Sequence, residues 1–114
     1  MTELPNDRVD AVVAAIDRLD GDARLDLDEA LTLLADRRRR LLLEVVVSHD
    51  EALTLPDVAE EVAERETGCQ LADISAERIK RVYISLYHDH LPRLVDADVL
   101  EYDQERDLVA PGYR

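Results

Sequence analysis

Val9, Val12, Val13, Ile16 and Leu19 recur at helical spacing over residues 8–19, opposite an acidic face, and Asp20-Gly21-Asp22 follows as a stop. The pattern predicts an amphipathic helix too short to persist unaided. Its stripe needs a cover, either the domain behind it or a second copy of the chain. In the second case these five residues form a homodimer interface.

Asp26 and Glu29 stand at capping-box spacing, and Leu27, Ala30, Leu31 and Leu34 continue on one side of the helix they announce. Asp36 can cap the next helix, over residues 37–48. Its run of Leu41-Leu42-Leu43 and Val45-Val46-Val47 marks the centre of the core, although the β-branched end also suits a strand. Thr54, Pro56 and Asp57 read as cap, early proline and acidic first turn. The stripe Leu55, Val58, Ala59, Val62 and Ala63 follows, and Gly68 stops it. Ser75 caps a longer helix running towards His90, which can break near Pro92. Beyond it, Val99, Leu100 and Tyr102 change to a strand-like pattern, residues 103–107 form a hairpin tip, and Leu108, Val109 and Ala110 return before Pro111-Gly112.

The order predicts a mainly α fold with a small β-hairpin: a winged helix-turn-helix over residues 25–110, preceded by the amphipathic helix and linker of residues 1–24 and followed by a tail at 111–114. With 114 residues and no internal repeat, the chain suits one such domain. Since there is no Trp or Phe, Leu, Val, Ile and Ala must supply the packing. No apolar run is long enough for a membrane span and the first residues lack the order of a signal peptide, so a cytoplasmic protein is expected. Cys69, the lone cysteine, cannot form an intramolecular disulfide.

Charge changes this picture. The chain carries 27 acidic and 14 basic residues, a formal −13, and Lys80 is its one lysine. Such an excess is unusual for a DNA binder; adaptation to molar salt, where self-repulsion is screened over about 3 Å, explains it, as does an ordinary acidic surface. Two segments stand out as basic: residues 36–44, with four basic and two acidic side chains, and residues 75–95, with the same numbers.

On a helix over residues 77–90, Ile79, Val82, Tyr83, Leu86, Tyr87 and His90 share one side. On the other, Arg78, Arg81, Ser85 and His88 line up, with Lys80 on the flank. Arginine presents paired donors that match guanine edges or phosphate oxygens, and Ser and neutral His both donate and accept. A solvated polar face is the alternative, but a positive one in so acidic a chain, on the third helix before a hairpin, points to the major groove. Arg37-Arg38-Arg39-Arg40 places four cations in a first turn, where the helix dipole disfavours them. Nearby carboxylates are one compensation and DNA phosphate, reached by Arg37 and Arg38, is another.

His88, His90 and Cys69 raise a metal site, yet His88 and His90 point about 200° apart on a continuous helix. No metal is expected, and His90 is read as a core-facing, hydrogen-bonded histidine. Tyr83 and Tyr87 are read as core or dimer contacts. No phosphate loop, nucleophile motif or paired catalytic carboxylate stands out, so neither an enzyme nor a cofactor is expected.

The stretches LDEALTLLADRRRRLLLEVV, LTLPDVAEEVAERE and RIKRVYISLYHDHLPRLVDADVLEYD, in this order, resemble a large haloarchaeal family of winged-helix domains of unknown function. The resemblance covers roughly residues 25–110 and is most specific over residues 81–103. It implies a winged-helix fold broadly similar to the ArsR type of regulators and a regulatory role. Two features depart from the pattern. Asp98 stands where such sequences often have Gly, although Asp tolerates left-handed backbone, and the wing tip is acidic with Arg106 its one cation. Metal-responsive relatives use paired cysteines, which this chain lacks.

The leading expectation is a homodimeric transcriptional regulator that presents residues 75–90 to double-stranded DNA, with Arg78, Lys80, Arg81, Ser85 and His88 in the groove and Arg37, Arg38 and Arg106 near the backbone. The alternative is a winged-helix module that docks on another protein without touching DNA.

Overall fold

The computed structural model describes residues 26–112. The helix predicted over residues 8–19, with its stripe Val9, Val12, Val13, Ile16 and Leu19, lies outside the described residues. Helix α1 (Leu27–Leu34) starts on the predicted box: the Asp26 carboxylate accepts from the Glu29 amide at 2.8 Å, and Glu29 Oε1 accepts from the Asp26 amide at 3.2 Å. Asp36 caps α2 (Arg37–His49) by accepting from the Arg39 amide.

Residues 41–47 of α2 are all buried. The choice that the valine run left open between strand and helix falls to helix, because this segment is enclosed by α1, the helices that follow and the last strand. A helix satisfies its own backbone polar groups inside such an apolar shell, whereas a strand there needs a partner on each side. Asp50, in the left-handed region at φ 54°, ends it.

Strand β1 (Leu53–Thr54) leads into α3 (Leu55–Thr67), capped by Thr54, opened by its proline and closed by Gly68 at φ 74°. A single 3-10 turn (Leu71–Asp73) connects to Ser75, whose hydroxyl accepts from the Arg78 amide and starts α4 (Ala76–Ser85). The break that Pro92 could encourage does not occur. The chain instead passes through a π turn (Leu86–His90), in which the Leu91 amide reaches back to the Leu86 carbonyl, and continues as α5 (Leu91–Asp96). Proline has no amide to give and its ring crowds the preceding turn; widening that turn accommodates both.

Strands β2 (Leu100–Asp103) and β3 (Leu108–Pro111) form the wing, and β3 lies between β2 and β1 in a three-stranded antiparallel sheet. Tyr102 and Leu53 both face Val109 across it. The pattern of residues did not reveal β1, since two residues cannot show an alternation. Pro111 belongs to β3, opposite Leu100, rather than to a tail starting at residue 111. The Gly112 amide donates to Val99 on the β2 side, so the amide Pro111 lacks points to the other edge, where β1 has already ended. Asp98 takes up the left-handed conformation, φ 62°, that its place before the wing requires. The fold is therefore mainly helical with a small antiparallel sheet, in winged helix-turn-helix order. Its core is aliphatic, with Leu42, Val45, Val46, Leu55, Val58, Val62, Val82, Leu86 and Leu94 fully buried.

Candidate nucleic-acid interface

Helix α4 turns Val82 inwards and leaves Arg78, Lys80 and Arg81 exposed. Among the described residues Arg81 pairs only with Glu77, one turn back on the same helix, at 3.2 Å, and both side chains are more than two-thirds exposed, at 68% and 75%. Such a pair is weak and readily exchanged. Lys80 makes no ion pair among the described residues. Ser85 is half-buried, and Ile84 emerges beside it, 44% exposed.

His88 is also exposed, its ring edge-on to Tyr87 at 4.9 Å between centroids. The wider π turn advances each residue by less than 100°, so His88 falls short of the position that a uniform helix from Arg78 gives it. Arg78, Arg81 and Ser85 therefore keep their common face, and His88 sits at its rim towards the wing. His90 is buried, 4% exposed, so the two histidines do point apart. It is not hydrogen-bonded, however. Its Nδ1 has no partner, and Nε2 lies 3.8 Å from a carboxylate oxygen of Asp36 and of Asp89. Burial pushes the imidazole below its ordinary pKa against the pull of those carboxylates. No group of three or more His, Cys, Asp or Glu that could hold a metal occurs among the described residues.

The arginine run behaves differently. Arg39 is 8% exposed and donates to the Thr32 and Leu33 carbonyls, both at 3.2 Å; Arg40 donates to Leu34 at 2.7 Å. These are carbonyls of the last turn of α1, of which Thr32 also accepts from the Ala35 amide at 3.3 Å. Positive charge at a helix C-terminus is favourable, so the cations that are misplaced at the start of α2 are well placed at the end of α1. Arg38 gives Nε and Nη2 to the two oxygens of Glu66 on α3, a side chain only 8% exposed, and this pairing raises the Arg38 pKa. Arg38 is thereby withdrawn from the DNA contact expected of it: its planar donors are occupied within the chain. Arg37 stays exposed and reaches the Arg65 carbonyl at 3.4 Å.

The wing is tied to α4 through Asp107, another left-handed residue at φ 55°. Its carboxylate accepts from Tyr83 at 3.1 Å and from Tyr102 at 2.5 Å, while its carbonyl accepts from the Leu55 amide at 2.9 Å. Desolvation, then the bond to Asp107, raises the pKa of both phenols. One residue thus holds the start of α3, the face of α4 and the hairpin in register. Sequence reasoning read Tyr83 as a core or dimer contact and missed the clamp, for which the spacing of Asp103 and Asp107 in the tip offers no signal. Among the described residues the Arg106 side chain at the tip, 77% exposed, has only Asp103 as an ion-pair partner, at 3.9 Å.

Among the described residues, no helix is long and apolar enough to cross a membrane. A family model described as a domain of unknown function (DUF7344) matches residues 31–110, the span from α1 to the end of the wing. No curated protein matches the chain, and no solved structure does.

Proposed function

Since the chain belongs to the family of the domain of unknown function DUF7344, we propose that it is a DNA-binding transcriptional regulator that lays α4 in the major groove of double-stranded DNA. The observation that carries this reading is the exposure of Lys80 and Arg81 on the outer face of α4, beside a hairpin fastened to the same helix by Asp107. Arg81 supplies a forked donor, Lys80 a point charge, and Ser85 and His88 a polar edge towards the wing, with Arg78 at the start of the same helix. In the proposed setting, the cytoplasm of a salt-loving archaeon, counterion release weakens phosphate contacts, so the forked contacts carry more of the affinity. The ArsR-like likeness belongs to the same proposal.

A two-fold operator requires a second copy. Leu27 and Leu31, one turn apart on α1, are 73% and 58% exposed and favour a protein contact at that end of the domain. We assign this contact to a homodimer that includes the stripe of residues 9–19, rather than to docking on a different protein.

The test is fluorescence anisotropy with the DNA upstream of the gene, at several KCl concentrations. The wild-type chain should bind and the double variant Lys80→Ala, Arg81→Ala should lose about tenfold or more in affinity while melting at an unchanged temperature, as one forked contact is worth about 1–3 kcal/mol. Equal, negligible binding by both proteins overturns the reading.

A further inference from the structure

The two basic segments, nearly 40 positions apart in the chain, meet in space. Arg37 and Arg38 from the start of α2, Glu66 from the end of α3, Arg78 from the start of α4, and Asp36 and His90 line one shallow cavity of about 400 Å³. Three guanidinium groups face two carboxylates there, in a chain that is otherwise strongly acidic. The carboxylates are already engaged. Glu66 gives both oxygens to Arg38, and Asp36 accepts from the Arg39 amide as the cap of α2.

What remains is donor capacity without acceptors. Arg78 Nη2 is 3.8 Å from Glu66, beyond hydrogen-bond distance, and its side chain is 45% exposed. Arg37 has one long bond, to the Arg65 carbonyl, and is otherwise open to solvent. His90, nine-tenths buried among these groups, has a ring nitrogen with no partner. The positive end of the α2 dipole lies at the same place.

We propose that this cavity binds a phosphate group, held by Arg37 and Arg78, with Arg38 kept in place by Glu66 to add its charge. A tetrahedral dianion or a phosphodiester offers several oxygens to two forked donors at once, which a carboxylate or chloride does not. The source we assign is one phosphodiester of the DNA backbone, beside the groove that α4 enters. That source rests on the reading of α4 as a groove-binding helix, whereas the affinity for phosphate does not. A contact of this kind fixes the angle and register of α4 on the duplex and carries no sequence information itself.

The experiment has two arms, both on the full chain. In the first, the ¹⁵N-labelled protein is titrated with inorganic phosphate at constant ionic strength maintained by KCl. Amides of Arg37, Arg38, Glu66 and Arg78 should shift saturably in the wild type, and the shifts should vanish in Arg37→Gln and in Arg78→Gln, both of which alter exposed ends of side chains. In the second, the slope of log affinity for DNA against log KCl is measured for wild type and Arg37→Gln, and should fall by about one in the variant. Saturable shifts with an unchanged slope overturn the DNA source and leave a site for free phosphate. Saturable shifts in a protein that binds no DNA at all have the same consequence, and separate failure of the groove reading from failure of the site. No saturable shifts and no change of slope overturn the site itself.

Discussion

Residues 37–40 and the outer face of α4 carry similar charge and have opposite fates. In the arginine run, Arg39 and Arg40 close the end of α1, and Arg38 is locked to Glu66. On α4, Lys80 and Arg81 are exposed, and among the described residues their one ion pair is that of Arg81 with Glu77. The difference comes from what surrounds each segment. The run follows a two-residue break after one helix, so its side chains reach back over the carbonyls of that helix's last turn. The cations of α4 lie on the side of the helix that no other described element covers. Most of the dense run of positive charge is thus spent on structure, Arg37 being the exception, and the sparse face is the candidate for groove recognition.

This contrast can be broken most directly at Arg39. Replacing it with Ala strips two carbonyls of α1 of their charged donor inside a buried site and should cost about 3 kcal/mol in a urea unfolding experiment. A cost below about 0.5 kcal/mol would show that the run is surface charge after all. The Arg38–Glu66 pair comes next. Glu66→Gln keeps the shape but removes the charge beneath Arg38, with an expected loss of about 1–2 kcal/mol. A double-mutant cycle with Arg38→Gln should recover a coupling energy, and strict additivity would mean that the pair contributes nothing.

A smaller effect is expected from pH. Because His90 is held below its ordinary pKa of 6.5 by burial, it is neutral in the folded state where the unfolded chain begins to take up a proton. Its contribution to stability is complete above pH 6.5 and declines as pH falls from there through the lowered folded value. Urea midpoints measured across this window should drop in the wild type and drop less in His90→Gln; identical slopes would exclude His90 as their source. The smallest effect belongs to the wing. Arg106→Ala should change stability by no more than about 0.5 kcal/mol, since its one partner, Asp103, is distant and exposed. If the same variant loses DNA affinity tenfold, the acidic tip reaches the backbone despite its charge, and the sharp division between recognition helix and remainder has to be redrawn.

Much of this architecture was legible because it is written in short-range chemistry. Asp26 with Glu29, Asp36, Thr54, Gly68 and Ser75 mark helix ends through bonds to amides a few residues away, and Asp98 marks a left-handed turn by its own tolerance. The outward face of α4 follows from the period of the helix, which Ile79 and Val82 display without help. The candidate phosphate cavity was not legible. Arg37 and Arg78 appear in the chain as members of separate charged segments, and nothing in their spacing predicts that α3 brings Glu66 between them.

The sequence by itself determined where the helices start, which side of each is apolar, and that the helix begun by Ser75 carries cations outwards, because those properties depend on neighbours within one or two turns. Tertiary structure alone decided which of those cations are spent within the fold. The charge of an arginine is the same in either place, and whether it remains available depends on the carbonyls and carboxylates that distant parts of the chain bring within about 3 Å of it.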